Sequence, residues 1–566
     1  MSNSLFRTKN IDKILKDAAT NEEHAHGGGG LKRVLTLRDL TFFGIAAIIG
    51  AGSFSSLGEA VFKGGPGVVF LFIICAIACG FTAMCYAEFA SRIPVAGSAY
   101  TYAYASFGEL FAWVIGWALI MEYSIGNIYV AFSWSDYFTS FLHKINIHVP
   151  DYLTCSYMEA KKAFDNNSSN AELTNAWSNA PLLGSLKIIF DLPALVINVL
   201  ITTLVYIGVK ESRNFSNIMV ILKLIIVALV IAVGAYYVDP GNWAPVNDAG
   251  VASFMPNGFA GVMSAVSGVF FAYIGFDAIS VMAEESKNPQ RDLPRSMILS
   301  LVICTVVYIL LTLVLTGVLN YRMFEGVGDP LAKIFEVKNV GWMQAFVSVA
   351  AVIAMTSVLL VFQMGQPRIW MSMSRDGLLP PAFERIHPKF QTPSFSTIVT
   401  GLLVGVPILF TDKTFVLDFT SIATLFAFVL VCGGILLIPR KEKVPGKFNM
   451  PYVNSKYIFP LLVMCAVVAI KLANKDYFSA LFNVTEENAS LNVSTIILWI
   501  VLIILAVTSY IKSFSLIPLL GLSCCLYLLT GMTGANWAWF GSWLALGLIF
   551  YFSYGYKKSR LAKQSL

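Results

Sequence analysis

One lysine lies inside a strongly apolar segment of the chain. Lys223 has isoleucine and leucine on both sides within the stretch NFSNIMVILKLIIVALVIAVGAYYV. An ammonium group among apolar side chains in a bilayer costs about 2.5–3.5 kcal/mol, and loss of hydration makes it easier to deprotonate. Lys223 is therefore a candidate for gaining and losing a proton, or for a fixed charge in the place of a bound sodium ion. The alternative is a lysine whose ammonium reaches the membrane surface along its alkyl stem.

Glycines interrupt a second apolar segment, FGIAAIIGAGSFSSLGEAVFKGGPG, where Gly50 and Gly52 flank Ala51 and precede Ser53. Each glycine weakens a helix by about 1 kcal/mol relative to alanine and frees the backbone to leave helical geometry. A half-helix that begins near Ser53 would present free N–H groups and a positive dipole end to a carboxylate. The alternative is a face of small residues that lets two helices pack closely in lipid.

A third segment, MSAVSGVFFAYIGFDAISVMAEESKNP, is broken by Gly275 and Asp277 within an aromatic-rich run. A break around residues 271–274 would offer unpaired carbonyl oxygens to an ammonium group. Glycine-interrupted polar segments in corresponding positions of two halves of a chain indicate a transporter built from inverted repeats with two broken helices. The two breaks together suit a zwitterion bound near the middle of the membrane.

Few carboxylates fall within the apolar segments, so each one is a candidate functional group. Glu88 and the pair Glu284-Glu285 lie near segment ends, where helix capping or pairing with a nearby arginine is the simpler interpretation. Glu122 lies deeper, in FAWVIGWALIMEYSIGN, with no basic neighbour in the sequence. A carboxylate in that position would favour a cationic substrate.

The composition explains why these residues need a membrane to position them. Of the 566 residues, 57% are hydrophobic and only 13% are charged, and the net charge is +6. A soluble protein normally has about 25% charged residues, so an ordinary cytosolic enzyme is excluded. Without a long basic run there is no sign of nucleic-acid binding. We also expect no metal, no cofactor and no catalytic constellation, since the apolar segments contain no histidine and the chain has no Cys-x-x-Cys or Gly-x-Ser-x-Gly motif.

The apolar blocks are each about 20 residues long, enough for a helix to cross a hydrocarbon core of about 30 Å. Loops on one side hold 27 basic residues and loops on the other hold 9, which predicts a multi-pass protein of the cell membrane with both termini in the cytoplasm. The fourteen predicted spans are 41–62, 67–90, 98–128, 192–209, 216–237, 258–284, 297–320, 341–372, 395–411, 415–439, 457–473, 494–511, 514–531 and 535–555.

Three stretches are specific enough to indicate a family: MCYAEFASRIPVAGSAYTYAYASFGELFAWVIGWALI, GFDAISVMAEESKNPQRDLPRSM and GQPRIWMSMSRDGLLPPAFERIHPKFQTP. Together with IIGAG in the first span and WAWFGSWLALGLIFYFSYGYKKS near the end, they resemble the cationic amino acid transporter family of the amino acid/polyamine/organocation superfamily. The resemblance runs from about residue 31 to 558 and implies an all-α polytopic fold with two inverted repeats of five helices.

The resemblance also implies an organisation of the chain. We expect a cytoplasmic N-terminal segment at 1–40 and a transporter core of spans 1 to 10 at 41–439. Peripheral spans 11 and 12 would occupy 440–511, and spans 13 and 14 with a short cytoplasmic tail would occupy 512–566.

Site residues carry over position by position from the resemblance. The carboxylate of an amino acid would bind at Ala51, Gly52 and Ser53. Its amino group would bind at Phe271, Ala272 and Ile274, with Glu122 near the side-chain pocket. Ser53 departs from the family, where an isoleucine or valine is usual, so the family's substrate preference is in question at this position.

Lys223 matches the lysine of proton-coupled bacterial relatives. The resemblance places it against Ala47 and Ile48 of span 1 and against Thr356 and Ser357 of span 8. The resulting prediction is secondary active uptake of L-amino acids, driven by protons and working by alternating access.

Other functions stay open at this point. An uncoupled facilitator or exchanger would use the same site, and an amino acid sensor would bind without transport. Whether the substrate is cationic or neutral is also open. Expected partners are the amino acid, protons and the lipid bilayer, and a small single-span accessory subunit could pack against the bundle.

Overall fold

The computed structural model describes residues 5–9, 35–50, 52–93, 98–166, 171–184, 186–208, 213–246, 250–390, 392–437, 448–483 and 489–564. Ala51 lies outside the described residues. The described chain is mostly helical, as the composition predicts, and a short antiparallel pair of strands, β1 (Leu182–Leu183) and β2 (Leu186–Lys187), lies between helices.

The α-helices of the first half are α1 (Leu37–Ile48), α2 (Leu57–Gly64), α3 (Val68–Arg92), α4 (Ser98–Ser106), α5 (Glu109–Lys144), α6 (Tyr157–Asp165), α7 (Ala171–Asn179), α8 (Leu192–Ile207), α9 (Arg213–Tyr236), α10 (Gly258–Ser264) and α11 (Val266–Phe271).

Those of the second half are α12 (Pro289–Val318), α13 (Pro330–Val337), α14 (Gly341–Arg375), α15 (Ser394–Ile408), α16 (Lys413–Leu437), α17 (Ser455–Ala473), α18 (Tyr477–Phe482), α19 (Ala489–Lys512), α20 (Leu516–Thr530), α21 (Gly534–Phe550), α22 (Tyr556–Lys558) and α23 (Arg560–Gln564).

Seven helices among the described residues are long and apolar enough to cross a membrane, and the number rises to nine if each of two bent helix pairs is one span. Three shorter apolar helices accompany them, Leu192–Ile207, Val220–Tyr236 and Ser394–Ile408. The protein is therefore a multi-pass membrane protein.

The third predicted span differs most from the structure. The prediction of one continuous helix over 98–128 is wrong, because Gly108, with φ +100°, separates α4 from α5. The predicted end at residue 128 is also wrong, since α5 continues to Lys144. The stretch after residue 128 contains no glycine or proline, and Tyr129 and Tyr137 bury their rings, so nothing ends the helix there. With 36 residues, α5 is about 54 Å long at 1.5 Å per residue and extends beyond a hydrocarbon core.

The broken helices lie at the centre of the packing. Span 1 is divided into α1 and α2, joined through an extended residue, Ile49, and a π-helical turn, Gly52–Ser56. Span 6 is divided into α11 and the 3₁₀ helix Phe276–Glu285, and Gly275 between them has φ +119°. Helix α12 packs on α1 and α3, and helix α5 packs on α14 and α16.

Candidate functional site

The two broken helices touch at backbone level. A methyl group on Gly52 would lie 2.5 Å from the Cα atom of Ala272, a distance that no real side chain tolerates. A methyl group on Gly275 would lie 2.9 Å from the carbonyl carbon of Ala47. Glycine at these positions therefore lets the two breaks lie side by side, and it brings predicted carboxylate-binding and amino-binding residues together.

The first break already uses part of its own hydrogen-bonding capacity. The N–H groups of Ser53 and Phe54 both donate to Gly50 O at 3.0 Å, and the Ser53 hydroxyl donates to the same oxygen at 3.0 Å. Ser53 is fully buried. In this conformation its hydroxyl closes the local turn, and a ligand that takes the Ser53 N–H must open that turn.

Tyr308 bridges the two breaks, and sequence reasoning missed it. Its hydroxyl lies 2.8 Å from Ile48 O in span 1 and 2.7 Å from Ala272 O in span 6. A phenol has one proton and two lone pairs, so the two carbonyls share a single donor. The residue stands in an apolar run of α12, and its partners are backbone oxygens, so no sequence signal marks it.

Lys223 is almost fully buried, with 2% of its surface exposed. Its ammonium donates to Ala46 O at 3.1 Å and to Ile49 O at 3.3 Å. These carbonyls lie at the end of α1, in the same turn as the predicted neighbours Ala47 and Ile48. The geometry therefore disfavours the interpretation of Lys223 as a lysine that extends to the membrane surface.

The predicted span 8 partners lie on α14, which packs against both α9 and α1. Thr356 accepts a hydrogen bond from Trp134 Nε1 at 2.9 Å and donates to Val352 O at 2.7 Å. Ser357 donates to Ala354 O at 2.8 Å. Both hydroxyls thus have protein partners in this conformation.

Phe271 and Ile274, at the second break, have different surroundings. The ring of Phe271 meets that of Tyr129 edge to face, with centroids 4.6 Å apart. Ile274 faces a small cavity with room for about one water molecule. The cavity is lined by Glu122, Tyr123, Ile274, Gly275, Asp277, Ala278, Phe362 and Thr420.

Glu122 brings a carboxylate to this cavity, and its Oε2 atom is buried without a hydrogen-bond partner among the described residues. Asp277, from the start of the 3₁₀ helix, lines the same space. None of the described residues that line it is basic. Since a buried carboxylate needs a proton or a cation, the cavity is suited to holding either.

Comparisons with known proteins identify the family of the chain. The amino acid permease family matches residues 35–506, and a family described as the C-terminus of such permeases matches residues 515–559. The branched-chain amino acid permease BcaP of Bacillus subtilis (strain 168) is 41% identical over 452 residues, covering 80% of this chain and 89% of its own length.

Two further relatives are named for different substrates. The methylthioribose transporter of Bacillus subtilis (strain 168) is 34% identical over 565 residues, 99% of this chain and 100% of its own length. The vacuolar cationic amino acid transporter 4 of Arabidopsis thaliana is 33% identical over 448 residues, 78% of this chain and 68% of its own length.

Proposed function

Because the chain belongs to the amino acid permease family, we propose that it takes up L-amino acids across the cell membrane as a secondary active, proton-coupled transporter. The observation that carries the proposal is the contact between the two chain breaks at Gly52 and Ala272. A helix N-terminus and a set of backbone carbonyls at one point provide opposite polarities for the two ends of a zwitterion.

The proposed binding mode follows from these polarities. The substrate carboxylate accepts hydrogen bonds from the N–H groups of residues 51–53, after the turn that Ser53 closes onto Gly50 O has opened. The substrate amino group donates to carbonyl oxygens of Phe271, Ala272 and Ile274. The proposed frame is fourteen spans with both termini in the cytoplasm, of which the core at 41–439 contains two inverted five-helix repeats.

Proton coupling is assigned to Lys223. As an ammonium, Lys223 holds the end of α1 through the carbonyls of Ala46 and Ile49. Loss of a proton removes the charge from both hydrogen bonds, and charged hydrogen bonds are roughly twice as strong as neutral ones. Protonation therefore biases the position of α1, and with it the equilibrium between outward-facing and inward-facing states.

Two of the three relatives are named for amino acids, one for branched-chain and one for cationic amino acids, and the third is named for methylthioribose. A zwitterion matches the paired breaks, whereas methylthioribose, a neutral thiosugar, carries neither a carboxylate nor an ammonium. Glu122 is proposed to contact the substrate side chain, where its unpartnered oxygen would receive a cationic group.

The test is uptake into proteoliposomes with and without an imposed pH gradient, with competition by all common amino acids and by methylthioribose. Accumulation above the external concentration only with the gradient is the expected result. Uptake that never exceeds equilibration would favour a facilitator or exchanger, and binding without uptake would favour a sensor. A Lys223→Ala variant that still responds fully to the gradient would overturn the coupling assignment.

A further inference from the structure

An ion pair closes the face of the molecule that carries the loop helices α6 and α7. Lys413, the first residue of α16, pairs with Asp136 of α5. Both side chains are partly buried, with 17% and 32% of their surfaces exposed. The ammonium of Lys413 also lies 5.6 Å from the centre of the Tyr129 ring, which in turn contacts the ring of Phe271. The pair therefore lies one aromatic layer away from the proposed substrate site.

A loop segment rests directly on this pair. A methyl group on Gly328 would lie 2.5 Å from Asp136 Oδ2, and the carbonyl of Gly328 accepts the Ser55 hydroxyl at 3.0 Å. The next residue, Asp329, accepts the Ser140 hydroxyl at 2.9 Å. Residues 328–329 thus connect the π-helical turn of broken span 1 to α5.

The same contact region is fixed from the loop side. The backbone N–H of Lys413 donates to Glu159 Oε1 at 3.0 Å, and Lys162 pairs with Asp412 at 2.6 Å. Helix α6 therefore holds the beginning of α16 in place. Four separate parts of the chain meet at Asp136 and Lys413: α5, α6, α16 and the segment before α13.

We propose that Asp136 and Lys413, with Gly328 packed on them, form the external latch of the transporter. The inference rests on the proposed transport function and adds gate residues to it. A substrate that enters from this face must separate α16 and residues 328–329 from α5. Water then solvates both charges, so breaking a partly exposed pair has a modest energy and the latch opens reversibly.

The latch makes a specific kinetic prediction. Asp136→Asn and Lys413→Met weaken the outward-closed state, so more of the protein is open to the outside before substrate binds. The external KM is expected to fall, by about fivefold, because the binding-competent state is more populated. The maximal rate falls as well, since closure after binding is weaker. A residue that merely supports the fold would not lower KM.

Charge reversal gives the sharpest control. The double variant D136K/K413D restores an ion pair between the same helices and is expected to recover both KM and maximal rate. Lys333→Met is the matched control, because the ion pair of Lys333 with Glu336, at 3.1 Å, lies within the single helix α13. It is expected to leave both constants unchanged.

Gly328→Ala provides an independent variant if the charge variants do not fold. Its methyl group displaces the Asp136 carboxylate, so it is expected to lower KM in the same direction. Asp136, Lys413 and Gly328 variants that behave like Lys333→Met would overturn the latch, as would a folded double variant that recovers nothing. A wild-type protein that fails to transport amino acids would instead overturn the proposed function itself.

Discussion

Gly52 and Ala272 are in direct backbone contact, with room for no additional atom: a methyl group on Gly52 would approach the Ala272 Cα atom to 2.5 Å. One residue belongs to the break in span 1 and the other to the break in span 6. The contact fixes the two breaks at one depth, and both would have to move together if either half-helix shifted.

Gly52→Ala is expected to reduce amino acid uptake at least about tenfold, because overpacking of this kind costs about 1–3 kcal/mol and here pushes the breaks apart. Initial uptake rates at equal reconstituted protein are the measurement. Gly341→Ala is the control, since a methyl group at that position meets nothing within 4 Å. Equal activity of the two variants would contradict the role of the contact.

Tyr308→Phe removes the one donor shared by Ile48 O and Ala272 O. A buried acceptor left without a partner costs about 1–3 kcal/mol, which corresponds to a loss of transport between about fivefold and a hundredfold. Tyr273→Phe is the matched control, because it also removes a buried hydroxyl. The Tyr273 hydroxyl donates to a single carbonyl, Phe72 O, at 2.9 Å, which lies outside the two breaks. Both variants should lose similar thermal stability, and only Tyr308→Phe should lose transport to this extent.

Lys223→Met keeps the length of the side chain and removes the charged donor to Ala46 O and Ile49 O. Hydrogen bonds to charged groups contribute about 1.5–3 kcal/mol each, so gradient-driven accumulation is expected to fall at least about tenfold. Exchange of internal for external amino acid should persist, since it needs no net proton movement. Lys471→Met, on the exposed face of α17, serves as the control and should retain the gradient response.

The positions of several long apolar helices could be predicted from the sequence, for a physical reason. A span must bury about 20 apolar residues, so hydropathy sets its length: the predicted 341–372 corresponds to helix Gly341–Arg375, and 216–237 to Arg213–Tyr236. The two breaks were also predictable, because glycine weakens a helix locally. Such signals depend on a residue's own segment alone.

Contacts between distant segments were not predictable in the same way. The predicted third span ended at residue 128 and so did not include Asp136, which lies on the continuous helix α5. Its partner Lys413 is 277 positions away in the chain. The sequence around a charged residue at the end of a segment does not indicate which distant residue it pairs with. Tyr308 was missed because it bonds backbone oxygens, which every residue possesses.

Glu122→Gln tests the side-chain pocket. The variant keeps the shape of the residue and removes the charge that would pair with a cationic side chain. The KM for arginine is expected to rise at least about tenfold, on the scale of a charged hydrogen bond, and that for alanine should change little. Glu336→Gln, on the surface of α13, is the control. A parallel rise of KM for both substrates would exclude a specificity role for Glu122.

Asp329 should make the stability of the folded protein depend on pH. Removal of its carboxyl from water, assisted by the neighbouring Asp136 carboxylate and opposed by the Ser140 hydrogen bond, raises the pKa of Asp329 to about 7. The carboxyl is thus neutral in the fold at pH 5 and must ionise as the pH rises, which the unfolded chain does more easily. Its stabilising contribution is fully present below about pH 4, where the unfolded chain also keeps the proton, and it is lost progressively as the pH rises from about 4 to about 7.

Asp329→Asn removes this ionisation while keeping an oxygen for Ser140. The difference in Tm between the variant and the wild type, measured in detergent, is therefore expected to be small at pH 4 and to reach several degrees in favour of the variant at pH 8. Ser140→Ala separates titration from hydrogen bonding, because it removes the partner but leaves the carboxyl to titrate, so its pH dependence should persist. A Tm difference between Asp329→Asn and wild type that is equal at both pH values would show that the Asp329 carboxyl is hydrated in the folded protein.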